Sequence, residues 1–151
     1  MLNYRTLDID DLDILLDAAV EFFAESRFSN IPMDVGRSRA VLSAFLCSTE
    51  AAVFGALDGD YVAGLLIVER MPDLWADREF AQEIALYVRP AYRSTRIGSD
   101  LITSLIGWAD SNALAVRMTI DSGIVDERVA NALERRGLQR RGWIMGREAV
   151  V

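Results

Sequence analysis

Two hydrophobic periods alternate along the 151 residues of this chain, and the switches between them mark its elements. Residues 80–112, reading FAQEIALYVRP-AYRSTRIGSD-LITSLIGWADSN, show the change most clearly. The apolar run from Ile84 to Val88 reads as a buried strand, and Pro90 ends it because proline has no N–H for a ladder. A polar loop with Arg93 and Arg96 follows. Then Ile97, Leu101, Ile102, Leu105, Ile106 and Ala109 recur at three- and four-residue spacing, the mark of one buried helical face. A strand, a short basic loop and a helix start make an anion site. The first helical N–H groups lack internal partners, and the helix dipole favours negative charge there. The guanidinium forks of Arg93 and Arg96 suit phosphate geometry. The backbone from Arg93 through Ser94, Thr95, Arg96, Ile97 and Gly98 to Ser99 is therefore expected to cradle a pyrophosphate.

The rest of the pattern supplies a frame for this stretch. Residues 2–6 read as a first strand. Asp8 or Asp10 can cap a helix to about residue 25, with Leu12, Leu15, Leu16, Ala19, Phe22 and Phe23 facing inward. Asp34 can cap a second helix through about residue 47, where Cys47 sits among Leu42, Phe45 and Leu46 and reads as a buried packing thiol. Runs at 52–57 and 61–70 are strand-like, and Asp58-Gly59-Asp60 between them is a hairpin signal. Residues 72–78 form a link carrying Leu74 and Trp75 before the central strand. After the central helix, residues 114–120 read as a strand broken by Asp121-Ser122-Gly123. Residues 126–136 read as a helix closed by Gly137, and from Leu138 onward a last strand or pair of strands is expected. The order β-α-α-β-β-β-α-β-α-β predicts a single α/β domain over 1–151, a mixed sheet flanked by helices.

Composition narrows the chemistry. An apolar fraction of 52% with 26% charged residues belongs to a globular protein. No apolar run is long enough for a bilayer and the N-terminus carries no leader pattern, so a cytoplasmic, membrane-free protein is expected. Cys47 is the single cysteine, which rules out an internal disulfide. With no histidine, His-dependent triads and the usual Cys/His zinc sites are excluded, and no metal is expected. A net charge of −7 argues against a nucleic-acid partner and suits an amine or a basic segment, though solubility explains it as well. The arginines are clustered: Arg89, Arg93 and Arg96 in one group, and Arg135, Arg136, Arg140 and Arg141 in another.

The run from Val88 through Arg89, Pro90, Ala91, Tyr92, Arg93, Ser94, Thr95, Arg96, Ile97, Gly98, Ser99 and Asp100 to Leu101 resembles the acyl-CoA motif of GNAT-type N-acetyltransferases. That motif is written V-x-P-x-x-Q/R-x-x-G-x-G/A-x-x-L. Val88, Pro90, Arg93, Gly98 and Leu101 match, and Arg96 replaces the first loop glycine. A side chain there either reaches the phosphates or narrows the cradle. Residues 126–138, DERVANALERRGL, resemble the family's later motif N-x-x-A-x-x-L-Y-x-x-x-G-F, with Asp126 where asparagine is common and Leu133 where a general-acid tyrosine is common. The element order is that of the GNAT fold as well. The resemblance implies a wedge between the central strand and the next, with backbone groups of Leu86, Tyr87 and Val88 holding the acyl arm. It implies acetyl-CoA as co-substrate, an amine acceptor (small molecule, protein lysine or N-terminus), and dimers as a common state of the family. A GNAT-fold module that binds CoA or a partner without turnover is the rival reading, favoured by Arg96 and Leu133.

For the acceptor's proton, Glu83 is the candidate general base. It is the one carboxylate within an otherwise apolar stretch, and burial raises a carboxyl's pKa towards the range useful at neutral pH. Pairing with a neighbouring arginine, or exposure to solvent, is the structural alternative. Strict alternation puts Glu83 on the face of Ala85 and Tyr87, opposite Ile84, Leu86 and Val88, unless a bulge shifts the phase. Tyr87 and Tyr92 are the nearest hydroxyls for the missing acid, with packing as the commoner role of such tyrosines. Trp75 either lines an acceptor pocket or covers the sheet end. Arg140 and Arg141 either reach the CoA 3′-phosphate or are solvated.

Overall fold

The computed structural model describes residues 1–142 and 144–146. Its elements are β1 (Leu2–Thr6), α1 (Leu12–Glu25), α2 (Val35–Cys47), β2 (Ala51–Asp58), β3 (Tyr61–Pro72), β4 (Glu79–Val88), α3 (Ile97–Ser111), β5 (Ala115–Arg117) and α4 (Asp126–Glu134). The five strands form one mixed sheet in the order β1-β2-β3-β4-β5. Neighbours are antiparallel from β1 to β4, and β5 runs parallel to β4. Parallel neighbours need a crossover, and α3 supplies it.

Local signals account for most of the boundaries. Asp8 opens a 3₁₀ turn that runs into α1, and a capping box with Asp11 satisfies two first-turn donors. Asp34 caps α2 by accepting from the Arg37 amide at 2.9 Å. In the β2–β3 hairpin Asp58 faces Tyr61, and Gly59 takes φ 63° at the first turn position, where any side chain is strained. After α4, Gly137 at φ 85° completes a Schellman motif, with Leu138 N–H donating to Leu133 O at 3.2 Å and Gly137 N–H to Glu134 O at 3.0 Å.

The sheet buries both faces. On one side α1 and α2 cover Leu7, Val53, Leu57, Val62, Leu65, Ile67 and Tyr87. On the other, the α3 residues Ile97, Leu101, Leu105 and Ala109 lie on Ala52, Ala56, Ala63, Leu66, Val68 and Ala81. Gly64 lets α3 lie that close: a Cβ there would stand 2.5 Å from Ile97 Cγ2 and 3.2 Å from the Tyr87 carbonyl.

Three expectations are corrected. Cys47 is exposed, because it ends α2 on the side away from the core that Leu42 enters. The strand expected at 114–120 is paired only over Ala115–Arg117, since 118–120 turns away from β4 to line a cavity. Residues 138–142 and 144–146 carry no strand, and the rest of the expected last strand, at 143 and 147–151, lies outside the described residues.

Candidate active site

β4 changes its facing halfway along. Val68 of β3 pairs with Glu83 and Ile67 with Ala85, so Ile84 is an extra residue, a β-bulge. Without the bulge Glu83 would share a face with Ala85 and Tyr87. With it, Glu83 joins Ala81 and its partner Val68 on the α3 side, while Tyr87 and Ala85 face α1 and α2. The bulge also parts the strands. β5 pairs with β4 only at Phe80, Ala81 and Gln82, and beyond Gln82 the two splay into a wedge.

A cavity of about 430 Å³ fills the wedge, lined by β4 from Glu83 to Val88, the loop after it, the start of α3, residues 118–122 and one face of α4. Glu83 lies at its apex, 7% exposed, and its Oε2 accepts from the Thr119 amide at 3.3 Å. Burial pushes its carboxyl up to about 7, and the Thr119 hydrogen bond only partly opposes this. The group is thus poised to exchange a proton near neutral pH.

Pairing geometry identifies the free backbone of the wedge. Arg89 N–H donates to Ala63 O at 3.0 Å, so 63 and 89 form a hydrogen-bonded antiparallel pair. By alternation Leu65 and Tyr87 form the next such pair, while Leu86 and Val88 turn their N–H and C=O away from β3, into the opening. Of the three residues expected to present backbone groups, Leu86 and Val88 do, and Tyr87 spends its own on β3. The Val88 carbonyl accepts from Arg93 Nε at 2.9 Å, which leaves its N–H and both Leu86 groups open.

The loop has the expected form with different side-chain roles. Thr95 Oγ1 donates to Tyr92 O at 2.6 Å and accepts from Ile97 N–H at 3.3 Å, folding the chain into α3. Gly98 and Ser99 lie in the first helical turn and have no intrahelical acceptor for their N–H groups. Ser94 and Arg96 N–H find no acceptor among the described residues either. Arg93, expected at the phosphates, instead reaches Glu25 of α1 with Nη2 at 2.6 and 2.8 Å. Arg96, 88% exposed at its side chain, has among the described residues only Asp100 at 4.0 Å as an ionic partner and is open to an anion. At Gly98 a Cβ would meet only Val88 Cγ2 at 3.6 Å, so no described protein atom requires the glycine.

Tyr87 is 3% exposed and stacks on Phe22 with ring centroids 5.1 Å apart. Its hydroxyl donates to Glu25 Oε1 at 2.7 Å, and burial first, then the Glu25 charge, raises its pKa above the ordinary tyrosine value. Its ring leaves the sheet on the face opposite Glu83, so the structure does not bring the expected acid and base together. Tyr92 lines the cavity, but its hydroxyl donates to Asp58 at 3.0 Å. Leu133, where a tyrosine is common in the resembled motif, is a core residue at 5% exposure.

α4 contributes residues with no role read from the sequence, beside Arg135 of the second arginine cluster. Arg128, Val129, Ala132 and Arg135 line the cavity from one helical face, and both arginines lack carboxylate partners among the described residues. Their spacing over two turns was a legible signal. Arg136 bridges α4 to the helix start by donating to the Ser99 carbonyl at 3.0 Å and to its hydroxyl. Arg140 is committed to Glu134 at 2.7 Å and Glu127 at 3.1 Å, not to an open anion site. Trp75 is 89% exposed and lines neither this cavity nor the neighbouring groove between α1 and α2. No described helix is long and apolar enough to cross a membrane, and among the described residues no cluster of His, Cys, Asp or Glu is placed to hold a metal ion.

Comparisons with known proteins agree with this architecture. An aminoglycoside acetyltransferase from an uncultured soil metagenomic sample, solved with sisomicin, superposes with TM-score 0.75 at 18% identity, over 99% of this chain and 96% of that one. A ribosomal-protein-alanine N-acetyltransferase of Brucella melitensis gives 0.71 at 15%, over 99% of each chain. A predicted acetyltransferase of Clostridium acetobutylicum, solved with acetyl-CoA, gives 0.75 at 14%, over 97% of this chain and 96% of that one. At these identities the likeness is one of fold. No curated protein matches the sequence. The sequence profile of the acetyltransferase (GNAT) family matches residues 14–138, and the chain belongs to that family.

Proposed function

We propose that the protein moves an acetyl group from acetyl-CoA to a primary amine. The observation that carries this reading is the continuity of one cavity from the unpaired amides at the start of α3 to the buried carboxyl of Glu83. The residues present fit the co-substrate. Gly98, Ser99 and Arg96 offer N–H groups to a diphosphate, and Arg96, Arg128 and Arg135 offer side-chain cations. The Leu86 backbone and the Val88 N–H offer strand-like bonds to the acyl arm.

Acetyl-CoA supplies a thioester whose acyl carbon an amine attacks and whose thiolate departs. Glu83 takes the proton the amine must lose, through water or directly, and its raised pKa matches the proton's need near pH 7. An N–H of the open β4 edge stabilises the charge developing on the carbonyl oxygen. The amine acceptor is a small molecule, a protein lysine or a protein N-terminus.

The rival reading, a GNAT-fold module without turnover, draws on Leu133, which puts no hydroxyl where the family often has one. Calorimetric titration with acetyl-CoA, on the wild type and on Gly98→Glu, tests the cradle. The variant has room for its Cβ, so binding is expected to vanish without loss of fold. Thiol release with an amine panel, wild type against Glu83→Gln, then separates enzyme from module. Absence of acetyl-CoA binding at millimolar ligand overturns the proposal.

A further inference from the structure

A second cavity of about 290 Å³ lies between α1 and α2 over the sheet. Its walls include Phe22, Met33, Val41, Leu42, Phe45 and Ile84. It adjoins the wedge, because Phe22, Ile84 and Ala85 line both spaces. The bulge is what exposes Ile84, at 42%, between them. The volume is near the lower end of small-ligand sites, about 300 Å³, which suits one compact apolar group.

Charge restricts the occupant further. Arg37 is the one ionic residue lining the groove, and its side chain has no carboxylate partner among the described residues. Its neighbour on α2, Arg39, is by contrast paired with Asp13 at 2.7 Å. Among the described residues no carboxylate lines the groove. In the wedge, Asp121 is paired with Arg27 at 2.7 Å, and Asp126 accepts from Ser122 and Gly123 at 3.1 Å each. Glu25 is held by Tyr87 and Arg93. In the groove itself a polycation would meet a free guanidinium and no carboxylate among the described residues, while in the wedge Asp126 and Glu83 are the carboxylates without a cationic partner.

We infer that the amine acceptor is a small hydrophobic amino acid, its apolar side chain in the α1–α2 groove and its carboxylate at Arg37. The fate of the amine rests on the acetyl-transfer reading; which amine binds rests on the groove alone. The groove differs in kind from a site for a polyamine or aminoglycoside, which would need several acceptors for ammonium groups.

Calorimetry on the full chain tests this with three probes, L-phenylalanine, L-phenylalanine amide and sisomicin, each with and without acetyl-CoA. L-phenylalanine is expected to bind, the amide about tenfold more weakly for loss of one charge-assisted contact, and sisomicin not detectably. Arg37→Gln is expected to erase the preference for the free acid. Val41→Asp, at an exposed wall position, is expected to weaken L-phenylalanine at least about tenfold by putting a charge against its apolar body. Acetyl-CoA titrated alone reads the cofactor site separately, so failure there is distinguishable from failure here. Sisomicin binding as tightly as L-phenylalanine, no L-phenylalanine binding at millimolar ligand, or an unchanged preference in Arg37→Gln overturns the inference.

Discussion

The Tyr87 hydroxyl donates to Glu25 at 2.7 Å, and the same carboxylate takes the guanidinium of Arg93 at 2.6 Å. Burial alone would raise the carboxyl's pKa, but the bonds from Tyr87 and Arg93 outweigh it and hold Glu25 below the usual range. Four and eight residues earlier on the same stripe of α1, Glu21 and Asp17 hold Arg89 at 3.2 and 2.6 Å, with its guanidinium 3.7 Å over the Tyr61 ring. One helix thus fixes both the end of β4 and the loop that follows.

Glu25→Gln is therefore expected to weaken acetyl-CoA binding by about an order of magnitude, by freeing the loop through loss of a charged pair worth about 1.5–3 kcal/mol. The pH profile set by Glu83 should not move. Tyr87→Phe should lower stability by about 1 kcal/mol in urea unfolding and leave the turnover number nearly unchanged. A large loss of turnover in Tyr87→Phe would reinstate it as the acid.

Glu83 gives two pH trends of opposite benefit. Its folded pKa of about 7 is raised above the ordinary value of 4.5, so the folded state binds the extra proton. Its contribution to stability is complete below pH 4.5 and declines as pH rises to about 7. Activity runs the other way, with kcat/KM climbing through about pH 7 as the base ionises. Glu83→Gln should lower kcat/KM by about 10²–10⁴ and flatten that limb, while melting above the wild type at pH 8 and level with it at pH 4. A variant that melts below the wild type at pH 8 would show that the charged form is well accommodated.

Anion contacts are assigned by what each arginine already holds. Arg96→Ala and Arg135→Ala should each weaken acetyl-CoA binding several-fold and reduce its salt dependence, because their charges are free and screenable. Arg140→Ala should leave binding unchanged, since Glu127 and Glu134 already occupy its guanidinium. Titrations at low and high salt read the difference.

Gly64→Ala should lower stability by about 1–3 kcal/mol through overpacking. The new methyl would stand 2.5 Å from Ile97 Cγ2 and face a carbonyl that cannot retreat. A thermal melt of the variant checks it, and an unchanged midpoint would mean that α3 can slide on the sheet.

What the sequence revealed follows the range of each interaction. Strand, loop and helix at residues 80–112 are local patterns, and so are the Asp34 cap, the hairpin at Gly59 and the closure at Gly137. Glu83 was found because a lone carboxylate in an apolar run is a local anomaly. Its facing was not fixed, because the bulge exists only in the pairing of β4 with β3. Sequence alone assigns Arg93 to the phosphates, because nothing nearby in the chain competes for it. Its partner Glu25 lies 68 residues away. The apolar neighbours of Cys47 predict a buried thiol, but the helix turns it outward.

The extra residue at Ile84 separates the numbering of β4 from its facing. Numbering parity decides which layer a strand residue addresses, and here the rule inverts midway: odd positions 81 and 83 share a face with even positions 86 and 88. Removing one residue between 83 and 86 would restore a regular strand and a tidier sheet. Because the spacing from Glu83 to Tyr87 would fall from four residues to three, the two would still face opposite layers, and what would go is the irregularity that parts β4 from β5. In this family member deletion of Ile84 should thus spare the facing of the sheet and close the wedge.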